Sequence, residues 1–290
     1  MTSFRELAPA KINLTLEVAG RRDDGFHEIR SLVAFARAGD VVTLEPGAAR
    51  ALTVSGPFAD KLSGPNILSR ALELLASTEA GLPTGSVHLE KNLPVAAGIG
   101  GGSADAGALL RVLRRASGEA GNAVDWHRFA LTLGADVPVC LESRALWMTG
   151  VGEQLADIPD GFPVLHTVLV NPLADVPADK TARVFRALAA PRLAAHYGAP
   201  PAPRFADRDG LLAFMRVCGN GLAPAAEAVV PEIGAVLAAL TSLPQIEYAA
   251  LSGAGPTCFG VFPSAEAAAA AEAALAAAWP TWWVAASDIG

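Results

Sequence analysis

Between a segment of alternating polarity, Ser86-Val87-His88-Leu89-Glu90, and a helical apolar pattern, Ala108-Leu109-Leu110-Arg111-Val112-Leu113, four of five consecutive residues are glycine: Gly98, Gly100, Gly101 and Gly102. Glycine has no Cβ, so the backbone there can turn left-handed and come close to a neighbour or a ligand, at a cost in chain entropy. Alternation followed by a helical period places a strand before the glycines and a helix after them. A helix that starts on such a loop turns its unpaired N–H groups and the positive end of its dipole toward it. That arrangement suits an anion, most often a phosphate. Two common phosphate signatures are absent. No Lys follows the glycines, as G-x-x-x-x-G-K-[ST] requires, and Ser103 stands where G-x-G-x-x-G has its third glycine. A glycine-rich strand-to-helix turn with no ligand is the alternative reading.

The 290 residues, 52% of them hydrophobic, suffice for a sizeable core in two domains or one large one. With 22 basic and 29 acidic residues the net charge is −7. This argues against a general nucleic-acid surface but not against a small anion held by backbone groups. Only four residues are Lys (Lys11, Lys61, Lys91 and Lys180), so each draws attention. Cys140, Cys218 and Cys258 are far apart and sit among apolar neighbours. Buried free thiols are expected there, not a disulfide framework or a zinc site. Arg5 and Glu6 interrupt any signal-peptide core. The longest uncharged run, 248–265, is broken by Gly253, Gly255, Pro256, Gly260 and Pro263, unlike a membrane helix. A soluble cytoplasmic protein is expected.

Alternation predicts a strand over 12–18, closed by the polar turn 21–25, with further strands over 28–35 and 41–45 split by a turn at Gly39-Asp40. Pro65-Asn66 opens a helix, and 124–133 reads as a short one. A boundary is expected between Gly150 and Pro163, then a strand over 164–170. Three prolines in 199–203 forbid a helix there. Residues 224–240 and the alanine-rich 264–278 read as helices. Strands over 247–251 and 257–262 flank the turn Ser252-Gly253-Ala254-Gly255-Pro256.

Several residues outside the glycine run could carry chemistry. Lys11, in Pro9-Ala10-Lys11-Ile12-Asn13, is either a strand-end lysine reaching water or a cation poised by a carboxylate or phosphate. Asp136, in Gly134-Ala135-Asp136-Val137-Pro138, has apolar flanks, so it needs a partner or a task, or else caps a helix or loop. In Asp24-Gly25-Phe26-His27, an aromatic and a His beside a turn can frame a planar base by stacking and hydrogen bonding, or can be ordinary surface residues. Taken alone, the turn at Ser252 is a plain hairpin connection.

In order, these segments resemble the galactokinase, homoserine kinase, mevalonate kinase and phosphomevalonate kinase superfamily. Pro94 to Ala104 resembles its central Pro-x-x-x-Gly-Leu-Gly-Ser-Ser-Ala loop, and Ser252 to Cys258 its C-terminal glycine turn. Pro9-Ala10-Lys11-Ile12-Asn13-Leu14, Asp24-Gly25-Phe26-His27, Gly98-Ile99-Gly100-Gly101-Gly102-Ser103 and Gly134-Ala135-Asp136-Val137-Pro138 together resemble the 4-diphosphocytidyl-2-C-methyl-D-erythritol kinase family of the non-mevalonate isoprenoid route. The resemblance spans nearly the whole chain.

It implies an α+β, two-domain small-molecule kinase fold. Residues 1–155 would form an ATP-binding and catalytic domain like ribosomal protein S5 domain 2. Residues 156–290 would form a ferredoxin-like domain on the substrate side. It further implies ATP and Mg²⁺ as cofactors and phosphorylation of the 2-hydroxyl of 4-diphosphocytidyl-2-C-methyl-D-erythritol. This small molecule would be the partner, with no nucleic acid, membrane or obligate protein partner. By resemblance, Lys11 and Asp136 are the catalytic pair, Asp136 being the base. Pro94, Ala96, Ala97, Gly98, Ile99, Gly100, Gly101, Gly102, Ser103 and Ala104 form the ATP loop. Asn13, Phe26, His27 and Phe185 hold the substrate, with the aromatic rings and His at the cytosine. The metal ligands stay unassigned.

The chain departs from the family pattern in three places. Ala104 replaces the second Ser after the glycines, Phe26 replaces a frequent Tyr, and Asn220-Gly221-Leu222-Ala223 keeps only Asn220 and Leu222 of a frequent Asn-Asp-Leu-Glu. These affect nucleotide and substrate contacts, not the reaction type. A sibling kinase acting on homoserine or mevalonate, or a catalytically silent nucleotide-binding protein, are the competing readings. The Phe26-His27 pair disfavours the first, and the intact Lys11 and Asp136 disfavour the second.

Overall fold

The computed structural model describes residues 3–62, 66–76, 82–83, 85–177, 179–195 and 197–290. Pro65, expected to open the first helix, lies outside the described residues. In chain order come β1 (Phe4–Asn13), β2 (Glu17–Arg21), β3 (His27–Pro46), β4 (Ala51–Ser55), α1 (Ile67–Ala76) and β5 (Gly85–Glu90). Next are α2 (Gly101–Ser117), α3 (Trp126–Leu133), α4 (Val137–Glu142), β6 (Leu146–Gly150), β7 (Gln154–Asp157), β8 (Leu165–Asn171) and α5 (Lys180–Leu188). The last are α6 (Arg208–Cys218), α7 (Ala223–Val229), α8 (Glu232–Thr241), β9 (Tyr248–Leu251), β10 (Cys258–Phe262), α9 (Ala265–Ala278) and β11 (Trp283–Ile289). Mixed sheet with helices gives the expected α+β class. Among the described residues no helix is long and apolar enough to cross a membrane.

The chain forms two compact units that are not consecutive halves. One comprises Met1–Lys11, Gly39–Val95 and Gly100–Ser143; the other comprises Ile12–Ala38, Ala96–Ile99 and Arg144–Gly290. In the first unit β5 pairs antiparallel with the later part of β3 (Val41↔Glu90, Leu44↔Val87) and parallel with β4. The alternation in Ser86–Glu90 is realised as buried Val87 and Leu89 between half-buried neighbours. Helix α2 packs on α1, α3 and α4, with Leu68, Leu109, Leu110, Val112, Leu133, Val137 and Val139 in the core. The Asp125 side chain caps α3 by accepting from Arg128 N at 2.9 Å.

In the second unit the earlier part of β3 pairs antiparallel with β2 and β6, and β7 folds back on β6 within the turn-rich stretch 150–163. Strands β11, β8, β10 and β9 follow in antiparallel order. Their core includes Val168, Val170, Val184, Leu222, Ile233, Val236, Leu240, Leu251 and Phe262. Ser264 caps α9, accepting from Ala267 N at 3.2 Å.

Three expectations about elements change. Residues 39–40 are no turn, because β3 runs straight through them. A Cβ on Gly39 would lie 2.5 Å from Ala8 O, so this glycine permits close strand contact, while Asp40 is buried as an ion-pair partner. The strand expected over 12–18 breaks at residues 14–16, where Leu14 N and Thr15 N both reach Leu32 O (2.8 and 3.4 Å) and the ladder loses register. The helix expected over 224–240 divides into α7 and α8 at Pro231, which has no N–H to continue α7.

Candidate active site

Lys11 lies near the end of β1 and Asp136 directly before α4, with Pro138 in that helix's first turn. Although 125 residues apart, they meet, Lys11 Nζ donating to Asp136 Oδ2 at 3.0 Å. The lysine side chain is 5% exposed and the aspartate 40%. A buried ammonium thus faces a carboxylate that solvent and small molecules can reach. Arg111 of α2 secures both carriers. It donates to Glu6 Oε1 (2.8 Å) and Leu7 O (2.6 Å) on β1, and to Cys140 O (2.5 Å) on α4. The Cys140 thiol is fully buried, and that burial pushes it up to about 12, so it stays a neutral packing group.

The glycines before α2 serve different ends. Gly98 (φ +77°) and Gly100 (φ +63°) hold left-handed backbone, and Gly100 is the residue that opens α2. A Cβ on Gly100 would stand 3.1 Å from Lys11 Cβ, so this glycine lets the helix start rest on Lys11. A Cβ on Gly101 would stand 3.2 Å from Lys91 Nζ. Gly102 differs, being exposed, with a Cβ there meeting only Ile67 Cγ2 at an ordinary 3.9 Å. Nothing inside the unit requires Gly102; an approach from outside would. The first intrahelical bond runs from Ala104 N to Gly100 O (2.7 Å), which leaves the N–H groups of Gly101, Gly102 and Ser103 for an external acceptor.

In the second unit, residues 96–98 are held by the glycine turn after β9. Ser252 Oγ accepts from Asn13 N (3.1 Å) and donates to Gly98 O (3.3 Å), while Thr257 N donates to Ala97 O (3.1 Å). A Cβ on Gly98 would lie 2.4 Å from Gly255 O. Asn220 Nδ2 donates to Leu251 O (2.8 Å) and Gly253 O (2.9 Å). Lys180, the first residue of α5, donates to Ala96 O at 3.1 Å and to Gly255 O. Burial lowers its pKa to about 8.

Phe26, His27 and Phe185 line one cavity of about 1030 Å³, with Arg21, Thr181 and Arg186. His27 stacks on Phe185, with centroids 4.7 Å apart and planes at 25°. Phe26 is 63% exposed. Asp24 Oδ1 accepts from Phe26 N (3.0 Å), and Gly25 takes φ +87°, which turns Phe26 outward. Burial, then the nearby Arg21, hold His27 below its ordinary value, so its ring is neutral near pH 7 and can both donate and accept. Asn13 is not in this cavity. It is buried, Nδ2 donating to Ser31 Oγ at 2.8 Å, in the group that fixes the Ser252 turn.

Sequence reasoning missed Lys180 and the buried group Lys91, Asp40 and Asp105 in the first unit. The scarcity of lysine was the available signal: of four, Lys11, Lys91 and Lys180 are buried.

Comparison with known proteins gives the family. Residues 66–144 match the family described as GHMP kinases N terminal domain, and 205–281 match GHMP kinases C terminal. The chain is 44% identical over 290 residues to a 4-diphosphocytidyl-2-C-methyl-D-erythritol kinase of Paramagnetospirillum magneticum, covering 100% of this chain and 99% of that one. A relative of the same description from Paracoccus denitrificans is 47% identical, covering 98% and 96%. A crystal structure of a 4-(cytidine 5'-diphospho)-2C-methyl-D-erythritol kinase superposes with TM-score 0.76 at 32% identity, covering 99% of each chain.

Proposed function

The chain belongs to the 4-diphosphocytidyl-2-C-methyl-D-erythritol kinase family of GHMP kinases, and from that membership we propose that Lys11, Asp136 and the start of α2 carry out transfer of the ATP γ-phosphoryl group to the 2-hydroxyl of 4-diphosphocytidyl-2-C-methyl-D-erythritol. The observation that carries this reading is the 3.0 Å Lys11–Asp136 pair lying against Gly100. Phosphoryl transfer asks little covalent help of a protein; alignment and charge neutralisation supply most of the acceleration. Asp136 takes the hydroxyl proton as the oxygen bonds phosphorus. Lys11 fixes the carboxylate and adds positive charge beside the transferred group. The N–H groups of Gly101, Gly102 and Ser103 receive phosphate oxygens at the positive end of α2, with residues 94–104 as the loop around them.

Mg²⁺ neutralises phosphate charge when bound. It commonly takes one or two carboxylates plus phosphate oxygens and water. Among the described residues no three His, Cys, Asp or Glu side chains gather into a cage. Asp136, 40% exposed beside Lys11, would offer such a metal a carboxylate oxygen.

Phe26, His27 and Phe185 hold the cytosine. The exposed Phe26 supplies a stacking face, and the neutral His27 ring offers hydrogen bonds to the base edge. Asn13 supports the Ser252 turn that holds Gly98, through its backbone N–H, and does not itself touch the base. In this reading residues 1–155 bring the ATP-binding and catalytic groups, and residues 156–290 bring Phe185 and the Lys180 support. The partner is the small-molecule alcohol alone, and the working compartment is the cytoplasm. The free thiols support this compartment, and the acidic balance weighs against a nucleic-acid partner.

One assay tests the assignment. The protein is incubated with ATP, Mg²⁺ and, in turn, the cytidylyl alcohol, mevalonate and homoserine, and ADP is followed. ADP release with the cytidylyl alcohol alone is expected. Release with mevalonate or homoserine instead would overturn it.

A further inference from the structure

Beneath the first turn of α2 lies an ionic group that the reaction as described does not use. Lys91, just past β5, gives its ammonium to two carboxylates, Asp40 Oδ2 at 2.5 Å and Asp105 Oδ2 at 2.8 Å. The three side chains are 2%, 0% and 3% exposed. With Lys91 Nζ 3.2 Å from where a Cβ on Gly101 would stand, the group sits directly under the N–H groups assigned above to phosphate.

Two acids share one base. With both carboxylates ionised, one negative charge would be buried without compensation, under a turn that has to receive an anion. The donors are divided unequally between them. Asp40 Oδ1 accepts from Asn92 N (2.5 Å) and Leu93 N (2.7 Å), in addition to Lys91 on Oδ2. Asp105 has Lys91 alone, and its buried Oδ1 has no partner. Asp40 is thus solvated as an anion by three donors, whereas Asp105 is not.

We infer that Asp105 stands in this fold as a neutral carboxylic acid, a positioning residue that keeps Lys91 under the phosphate-binding turn without setting a second negative charge against the nucleotide. The inference rests on the assignment of that turn to ATP. As a neutral acid Asp105 can turn its O–H toward Asp40, the other carboxylate held by Lys91. Burial drives Asp105 up to about 8, against the pull of Lys91 and with the push of Asp40. Across α4 the other titratable neighbour is the Cys140 thiol, neutral over this range. Above about pH 8 Asp105 ionises, and the added charge weakens nucleotide binding. Conversely, nucleotide binding below that point favours the protonated form, so binding near pH 8 takes up part of a proton.

The test compares wild type with Asp105→Asn, whose amide reproduces the neutral acid, its oxygen accepting from Lys91 and its N–H₂ donating to Asp40. Binding of a non-hydrolysable ATP analogue with Mg²⁺ is followed by calorimetry from about pH 7 to 9.5, above the phosphate's own ionisation near 6. Two buffers of different ionisation heat are used. Lys180 also titrates here, but it is unchanged in both proteins. At the alkaline end wild type is expected to lose about threefold to tenfold more affinity than Asp105→Asn, relative to pH 7, and to take up a proton fraction that the variant does not. Equal pH slopes in the two proteins, or a variant that binds about tenfold more weakly already at pH 7, would overturn the inference. Infrared spectra of wild type labelled with ¹³C-aspartate give a second reading that does not depend on the variant folding. A protonated-carboxyl band at neutral pH that fades toward alkaline pH is expected, and its absence at neutral pH would overturn the inference. If neither protein binds the analogue, the nucleotide assignment fails instead, and the infrared band still reports the Asp105 proton.

Discussion

Asp136→Asn replaces a carboxylate held 3.0 Å from the Lys11 ammonium by an amide of the same size, so it removes basicity while keeping shape. Turnover should fall by about 100-fold or more with ATP binding nearly unchanged, as steady-state kinetics and calorimetry would show. Near-wild-type turnover would remove Asp136 from the base role. Gly102→Ala probes the other reactant. A Cβ there meets only Ile67 Cγ2, and Ala is the better helix former by about 1 kcal/mol, so thermal stability should hold or rise. The KM for ATP should rise nonetheless, because the methyl group stands where phosphate approaches; an unchanged KM would place the phosphate elsewhere. Much of this was legible in sequence, for particular reasons. The glycines announce an anion site through backbone chemistry, and Asp136 announces itself as a carboxylate among apolar residues. Their convergence is a tertiary fact that no local pattern carries, and it came only through family resemblance. The Lys91, Asp40 and Asp105 group left the scarcity of lysine as its signal. Asp40 follows a glycine and reads as a turn, and nothing local marks it or Asp105 as part of a buried ion pair.

The first turn of α5 matters for what Lys180 reaches, the carbonyls of Ala96 and Gly255. Lys180→Met leaves both without this donor, and a buried acceptor left unpaired costs about 1–3 kcal/mol. Urea unfolding should show a loss in that range, with a higher KM for ATP because residues 96–98 are no longer held. The pH dependence has a definite sign. Burial holds Lys180 at about 8 against an ordinary 10.5, so between those values the unfolded chain binds a proton that the native chain does not. This lysine therefore makes stability rise with pH across that window, and Lys180→Met should flatten the rise. A variant with the wild-type slope would show that Lys180 is not the group titrating. Elements whose cause is local were readable in advance. Strand β5 follows from alternation, α9 from alanine and its Ser264 cap, and α3 from Asp125. Of the three misread places, the division at Pro231 has a local cause and the other two have tertiary ones. Gly39 serves the close passage of β1 rather than a turn, and the break at residues 14–16 is set by pairing to Leu32.

At the scale of the whole molecule, the chain passes between its two compact units at 11/12, 38/39, 95/96, 99/100 and 143/144, so neither unit is built from one continuous stretch. Lys11 falls in one unit and Asn13, two residues later, in the other, as do Gly100 and Gly98. A ligand that binds the native chain but not the unfolded one raises the stability of everything that unfolds with its site, by about 2.7 kcal/mol at a concentration of 100 times Kd. For a domain larger than about 150 residues each kcal/mol moves Tm by roughly 2–4 °C, so either ligand alone should raise Tm by roughly 5–10 °C. Phe26→Ala separates the two. Its ring is 63% exposed and contributes little to the core, so the unliganded Tm should match wild type. The shift given by the cytidylyl alcohol should shrink by more than half, because the open stacking face of the cavity is gone, while the shift given by an ATP analogue should stay intact. Calorimetric scans of the two proteins, each with no ligand and with either ligand, give all six values. A cytidylyl shift that survives Phe26→Ala unchanged would take the base out of the cavity lined by Phe26, His27 and Phe185, whatever the kinetics of the Lys11–Asp136 pair.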